Sequence, residues 1–367
     1  MKIAIIGSRG YPYVYSGYET FVKETFELLK EKHEIHVYAH RHLYTERPKE
    51  VNGIHIHYIP TVDTKALSQL SNSFLATLHA LLFLRFDIIL YVNTANGPFG
   101  LLTKLFRKRT AIITDGLEWQ RPKWKGFGAR YFYWASRLST KVFDQLISDS
   151  EEMRRIYLEE FNKDSVVIEY GAHLKESRQA DRLESIGIIP REYYLIVGRL
   201  IPDNNADLIV EAFSKTSSKK KLVIVGDVPY EDEYARNIKS FASDKIIFTG
   251  YVKDQELLME LYSNAYIYVH GHEYGGTNPT LLKALAYGCC ILALDTPFSR
   301  EVLLDDKHGF YFQKKIQSIV DQVAFLDNQE GMIEEKRVIS RSRITEKYTW
   351  ERIAQEYDHL FKGLVNN

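Results

Sequence analysis

The sequence predicts an α/β protein built as two doubly wound parallel-sheet domains in tandem, and three observations lead there. The chain has 367 residues, more than one hydrophobic core usually serves, so two domains of ordinary size are expected. Short runs rich in Ile, Val and Tyr alternate with longer helical patterns, the signature of βαβ units and parallel sheets. The alternation is broken once, by the polar stretch "HLKESRQADRLESIG" from His173 to Gly187, and then resumes. These limits divide the chain into a first domain over 1–172, a linker over 173–187, a second domain over 188–347 and a terminal helix over 348–367. Hydrophobic residues make up 45% and charged ones 26%, enough apolar side chains to fill both cores and too many for a disordered chain.

In the first domain "KIAIIG", "EIHVYA", "IHIHYI", "DIILYV", "TAIITD", "QLISD" and "SVVIEY" read as strands, with helices between most of them. In the second, "YYLIVGR", "KLVIVGD", "KIIFTGY", "AYIYVH" and "CCILALD" repeat the pattern. After Gly309 the strands are expected to stop, leaving two helical patterns. In the last of these Trp350, Ile353, Tyr357, Leu360 and Leu364 recur at spacings of three and four, giving one apolar face that must pack on something. A terminal helix crossing back to the first domain would bury it. Open α/β sheets bind ligands beyond the carboxyl ends of their strands, so two such domains predict a cleft lined by the loops at those ends.

The 48 basic residues balance the 48 acidic ones, so no global field draws the protein to nucleic acid or to an anionic membrane, and any such attraction is local. Cys289 and Cys290 are the only cysteines and are adjacent in a strand-like run, where neighbouring side chains point to opposite faces. They exclude a disulfide framework and fit a reducing compartment. The opening "MKIAIIGSRG" is too short in apolar residues for a signal peptide, and no run reaches the length of a transmembrane helix.

Four loops are candidates for chemistry. "GSRGYPYVYSGYETFVKE" follows the first strand and leads into a helix that begins near Gly17, Tyr18 and Glu19, a place where glycines admit a ligand and a helix N-terminus favours anions. A strand-to-helix turn without a ligand explains the same spacing equally well. "TDGLEWQRPKWKGFGARYFYW" places Asp115 and Glu118 at a strand end, where a carboxylate can orient or deprotonate a hydroxyl. Its rings beside Arg121, Lys123, Lys125 and Arg130 suit sugar stacking, a membrane interface or plain core packing. "VGRLIPDNNADLIVEAF" ends a strand on Arg199, able to grip a diphosphate through two parallel hydrogen bonds, although a lone arginine is more often a surface ion-pair partner. In "HEYGGTNPTLLKAL", Gly275, Gly276 and Thr277 offer backbone N–H groups, and Asn278 caps a helix with Pro279 at its first position. Other chemistries lack their motifs. H-E-x-x-H, Cys/His metal spacings, G-x-x-x-x-G-K-[ST], G-x-S-x-G and G-x-G-x-x-G are absent. His55 and His57 alternate on a strand and read as a solvated edge rather than a ligand set.

As an ordered set, "IIGSRGYP", "YSGYETFVKE", "DGLEWQRPKW", "SDSEEM", "EYGA", "VGRLIPDNN", "GGTNPTLLKALAYG" and "YTWERIAQEY" resemble the retaining glycosyltransferases of family 4, and within them the bacterial rhamnosyltransferases of capsule and cell-wall polysaccharide synthesis. The resemblance runs through the whole chain and implies the GT-B fold, two Rossmann-like domains facing a cleft. It implies transfer of L-rhamnose from dTDP-L-rhamnose to a hydroxyl of a glycan, which in this subgroup is typically undecaprenyl-diphosphate-linked, with no cofactor and no metal. Such an acceptor implies a cytoplasmic protein at the inner face of the membrane. Candidate contacts are the basic-aromatic segment Arg121 to Arg137 and the stretch around Phe74 to Phe86, the latter read first as core.

By the same resemblance Gly10 and Gly17, with Glu19 nearby, lie by the donor diphosphate and acceptor. Asp115 stands where the wider family often has histidine and belongs to the acceptor side, with Tyr18, Glu118, Trp119 and Arg121 around it. Arg199 matches the arginine on the diphosphate, and Asn204 replaces the lysine that commonly assists it. Two glutamates eight positions apart are expected near the last loop, the second gripping the donor ribose. Gly275 and Lys283 stand at those positions, with Glu273 as a spatial substitute for the first. Lysine is a donor only and cannot accept hydrogen bonds from ribose hydroxyls, and a deoxythymidine donor offers one such hydroxyl fewer. Two alternatives stand beside this reading: a UDP- or GDP-sugar donor, and a catalytically silent homologue that binds glycan or partner subunits.

Overall fold

The computed structural model describes residues 1–12, 16–62, 64, 67–114, 116–122, 124, 126–177, 179–228 and 232–366. Its contacts fall into two compact units, Met1–Gly171 with Trp350–Asn367, and Ala172–Thr349.

The first unit runs β1 (Lys2–Ile6), α1 (Gly17–Leu29), β2 (Glu34–His40), β3 (Glu50–Val51), β4 (Ile54–Ile59), α2 (Ser68–Leu82), β5 (Ile88–Val92), α3 (Gly100–Leu105), β6 (Arg109–Ile113), α4 (Phe127–Val142), β7 (Gln145–Ser148), α5 (Glu151–Phe161) and β8 (Val166–Val167). The sheet order is β3-β4-β2-β1-β5-β6-β7-β8, parallel throughout except for β3 against β4. Helices cover both faces, so the central strands are apolar on both sides. In β5 every residue of "IILYV" is buried. The chain leaves β1 toward β2 but leaves β4 toward β5 in the opposite direction. Right-handed crossovers therefore place α1 on one face and α2, α3 and α4 on the other.

The second unit runs α6 (Asp181–Glu184), β9 (Tyr193–Val197), α7 (Ala206–Lys215), β10 (Lys221–Val225), α8 (Glu233–Lys239), β11 (Ile246–Gly250), α9 (Gln255–Ser263), β12 (Ile267–His270), α10 (Pro279–Ala286), β13 (Ile291–Leu294), α11 (Pro297–Leu303), β14 (Gly309–Phe312), α12 (Ile316–Leu326) and α13 (Glu330–Lys347). Its parallel sheet has the order β11-β10-β9-β12-β13-β14, and direction reverses between β9 and β12. Both cysteines are free and fully buried, Cys290 in the core with Leu292 and Cys289 against the Tyr262 carbonyl.

Two expectations need correction. Strands do not stop at Gly309: β14 pairs with β13 from Ile291↔Gly309 to Leu294↔Phe312, four residues being too short to show a period. Three helices follow it rather than two. The stretch 173–187 docks on its own unit. Leu183 is fully buried on α6, and the Arg182 amide donates to Glu260 Oε2 on α9 at 3.0 Å.

The chain closes with α14 (Trp350–Asn366), which packs on α1 of the first unit. Its buried stripe is Trp350, Ile353, Ala354, Tyr357 and Phe361, with Leu360 and Leu364 half-buried at the margin. Tyr357 meets Phe21 at 5.1 Å between ring centroids, and Phe361 stacks on Phe26 at 6.3 Å. Asp358, buried in this seam, accepts a hydrogen bond from His33 Nε2 at 2.9 Å.

Candidate functional site

Winding direction reverses at β1/β5 in the first unit and at β9/β12 in the second; the loop after β1 and the loops after β9 and β12 lie beyond the carboxyl ends of those strands, and the loop of Glu118 follows β6, the neighbour of β5. Such switch points are where open α/β sheets take ligands.

In the first unit Gly10 has a φ of +125°, and a Cβ there would collide with Ala39 and the Tyr44 hydroxyl, so packing alone requires glycine. Glu19 is 2% exposed and committed to the loop: Oε1 accepts from the Arg9 amide at 2.8 Å, and Oε2 from the Ser16 amide and hydroxyl at 2.8 and 2.7 Å. That reciprocal pairing is a capping box at the start of α1, and it commits the Glu19 carboxylate to holding the loop after β1. Gly17 opens the helix beside it. The Tyr18 hydroxyl accepts from Asn93 Nδ2 at 2.8 Å, joining the loops after β1 and β5. Asn93, at φ +77°, was not singled out by sequence.

Asp115 lies outside the described residues. Beyond it, Glu118 is buried, pairing with Arg121 Nη1 at 2.8 Å and accepting from Trp124 Nε1. Trp119 packs edge-on against Tyr133, Tyr157 and Phe161, with centroids 5.9–6.1 Å apart. Glu118 and Trp119 therefore brace the loop as well as bordering it.

In the second unit Arg199 follows β9 across Gly198 with its side chain exposed, and among the described residues its guanidinium makes no hydrogen bond or ion pair. Asn204 donates to the Arg199 carbonyl at 2.8 Å and meets His272 Nδ1 through Oδ1 at 2.8 Å, tying the loop after β9 to the loop after β12. Asn205, left-handed at φ +49°, adds bonds from Nδ2 to the Gly271 carbonyl at 2.9 Å and to Glu273 Oε2 at 3.3 Å. The same Glu273 oxygen accepts from Lys314 Nζ. Sequence missed Asn205 and Lys314 as organisers. The asparagine pair after Asp203 was a legible cue, because Asn tolerates the left-handed region.

Gly275 has a φ of +110°, which a glutamate would occupy only under strain, so the backbone itself excludes the first expected carboxylate from this position. Gly276 and Thr277 are buried before Asn278, whose Oδ1 accepts from the Thr280 amide at 2.9 Å and caps α10. Lys283, on that helix, has no hydrogen-bond acceptor among the described residues. Its Nζ lies 5.8 Å from the ring centroids of both Tyr262 and Tyr287, which stack 5.0 Å apart. Desolvation, helped by the charge of Lys175, lowers its pKa. Arg199, Asn204, Glu273, Gly275, Gly276, Thr277, Asn278 and Lys283 thus all fall on two neighbouring loops and the helix that follows.

A possible ion-binding set lies at the other end of the first sheet. Glu34, His36 and His55 bring ligand atoms within 4.8 Å of one another. There the Lys2 ammonium already sits 2.9 Å from Glu34 Oε1 and supplies the positive charge. His55 and His57 are no open edge: both stack on the buried His36 ring, at 4.6 and 5.1 Å.

Comparison with known proteins bears on the family and the fold. The family described as Glycosyltransferase Family 4 matches residues 15–176, and the family described as Glycosyl transferases group 1 matches residues 184–345. An uncharacterized glycosyltransferase of Methanocaldococcus jannaschii is 23% identical over the full length of both chains. The lipopolysaccharide 1,2-N-acetylglucosaminetransferase of Salmonella typhimurium is 27% identical over 46% of this chain and 48% of its own. Among solved structures, a sucrose-phosphate synthase from Thermosynechococcus elongatus superposes with a TM-score of 0.84 at 17% identity, over 99% of this chain and 98% of that one. HepE of Anabaena, solved in complex with UDP-glucose, superposes with a TM-score of 0.79 at 13% identity, over 99% and 100%. With two parallel-sheet domains, consecutive family matches along most of its length and a structural likeness that spans the chain, the protein belongs to the GT-B glycosyltransferases that join a family 4 domain to a group 1 domain.

Proposed function

We propose that the protein transfers L-rhamnose from dTDP-L-rhamnose, with retention, to a hydroxyl of an undecaprenyl-diphosphate-linked glycan in bacterial surface polysaccharide synthesis. The observation that carries the donor site is the exposed guanidinium of Arg199, without a partner among the described residues, in the loop that neighbours the buried loop opening α10. As the bond from the anomeric carbon to the diphosphate oxygen breaks, negative charge grows on the leaving group. Arg199 and the amides leading into α10 supply fixed positive charge for it, and no metal is invoked. Asn204 and Glu273 hold those two loops in register. On the acceptor side Asp115 is the proposed group that orients or deprotonates the incoming hydroxyl, with Glu118, Trp119 and Arg121 shaping its surroundings.

The sugar and the nucleotide rest on the sequence motifs, and the nucleotide also on Lys283, which cannot replace a ribose-binding carboxylate. A UDP-sugar is the second reading, favoured by HepE, solved with UDP-glucose, and by the N-acetylglucosaminetransferase relative. Incubation with dTDP-L-rhamnose, and in parallel with UDP-N-acetylglucosamine or UDP-glucose, on a lipid-linked saccharide acceptor separates them. Mass spectrometry should show one deoxyhexose added and dTDP released. Transfer from a UDP-sugar alone would assign the second reading, and hydrolysis or transfer from none would remove the catalytic one.

A further inference from the structure

At the amino ends of the first sheet's strands, opposite the candidate loops, the fold gathers histidines and carboxylates from three neighbouring strands. Glu34 and His36 stand two apart on β2, so their side chains leave the same face. His36 is the register partner of His55 on β4, and His55 that of Glu50 on β3. One row across the sheet therefore carries Glu50, His55 and His36, with Glu34 one pleat away. Glu34, His36 and His55 bring ligand atoms within 4.8 Å of one another, and His36 Nε2 lies 2.8 Å from Glu34 Oε1.

The surroundings of this cluster are those of an ion site. One nitrogen of each imidazole is already held: His36 Nδ1 by His57 Nε2 at 2.8 Å, and His55 Nδ1 by Glu50 Oε2 at 3.4 Å. Histidines that bind metal are oriented in this way, through the ring nitrogen that does not meet the ion. The His36 ring is buried, edge-on to Phe86 at 5.1 Å, whereas the Glu34 and His55 side chains are 48% and 37% exposed. One ligand is thus fixed, two can adjust, and solvent reaches the place between them. A cation is present there even without an ion, because Lys2 Nζ sits 2.9 Å from the Glu34 oxygen that also meets His36. The Lys2 side chain is itself part-exposed and flexible, so a doubly charged ion can displace it into water.

We propose that Glu34, His36 and His55 bind a divalent transition-metal ion of the zinc class. Two imidazoles and a carboxylate are a zinc donor set, while magnesium and calcium take oxygen ligands. With the ion on His36 Nε2, Nδ1 carries the proton and donates it to His57, and His55 Nδ1 donates to Glu50. Three protein ligands leave a fourth position to water. The ion would tie β2 to β4 near the edge of the sheet, a stabilising role apart from the transfer step. The inference goes beyond the transferase reading and depends on neither donor nor acceptor.

The test is calorimetric titration of zinc chloride into the full chain, stripped of metal by a chelator and carrying no histidine tag, at neutral pH. Saturable binding of one ion per chain is expected, with a melting temperature that rises with zinc by mass action and does not respond to magnesium. His55→Ala and Glu34→Gln should each weaken zinc binding by more than about 10-fold, and Glu50→Gln, which loosens only the His55 ring, by about 10-fold. All three side chains are at least partly exposed, so an unchanged melting temperature of the metal-free variants reports an intact fold. Nucleotide-induced stabilisation of the same variants reports the donor site separately. Absence of zinc binding at millimolar concentration would overturn the proposal. Binding of equal affinity in His55→Ala and Glu34→Gln would overturn it too, assigning the ion to others of the twelve histidines.

Discussion

Arg199 and Lys283 are two cations of the second unit that lack an internal acceptor among the described residues, and each is exposed to a different test. Arg199 is solvated and costs nothing to leave unpaired. Lys283 is desolvated beside a stacked pair of tyrosine rings, and its lowered pKa records that cost. Lys283→Glu would place an acceptor where ribose hydroxyls are expected, so affinity for UDP should rise relative to dTDP by about tenfold, the worth of roughly one charge-assisted hydrogen bond. An unchanged nucleotide preference in a titration would remove Lys283 from the donor site. Two buried histidines give this unit an acid limit. Burial lowers the pKa of His270 to about 3 and that of His308 to about 4, against about 6.5 in the unfolded chain. The unfolded state therefore binds more protons below pH 6.5, and stability present at neutral pH drains away as pH falls toward those values. By pH 5 each group should have cost about 2 kcal/mol, so urea unfolding at pH 7 and pH 5 should differ clearly; a flat profile would contradict it. Some of this scale was legible. Ser16 and Glu19 spell a capping box, and Arg199 ends a strand in plain sight. The Glu273–Lys314 pair was not, because its members meet only through the tertiary fold.

At the scale of elements, the long alternating runs were legible because parallel strands buried on both faces read as apolar blocks. β3 and β14, of two and four residues, were not, since neither shows a period. The closing helix was the clearest single element: spacing gave its apolar face, and the structure sets that face on α1. Its stripe drifts to Phe361 where Leu360 was expected, as a 3.6-residue turn shifts the buried position over four turns. Phe361 is fully buried between Phe26 and Tyr357. Phe361→Ala should destabilise the first unit by about 3–5 kcal/mol, the usual loss for a truncated buried phenylalanine. A urea midpoint close to that of the wild type would mean that α14 leaves the unit without loosening it.

For the whole molecule, tandem α/β halves could be read from the broken alternation, but strand order could not, because it depends on the direction each crossover takes. That order is what gathers the candidate residues: the reversal between β9 and β12 sets the loop of Arg199 beside the loop of Gly275 to Asn278. The central claim is that Arg199 and the start of α10 bind the diphosphate of a nucleotide sugar. Calorimetric titration of dTDP-L-rhamnose and of UDP-sugars into the wild type and Arg199→Ala tests it directly. The account predicts saturable binding of dTDP-L-rhamnose, weakened roughly 10- to 100-fold by the substitution with an unchanged melting temperature of the free protein. Equal affinity of the two proteins, or no binding of any nucleotide sugar at millimolar concentration, would contradict it.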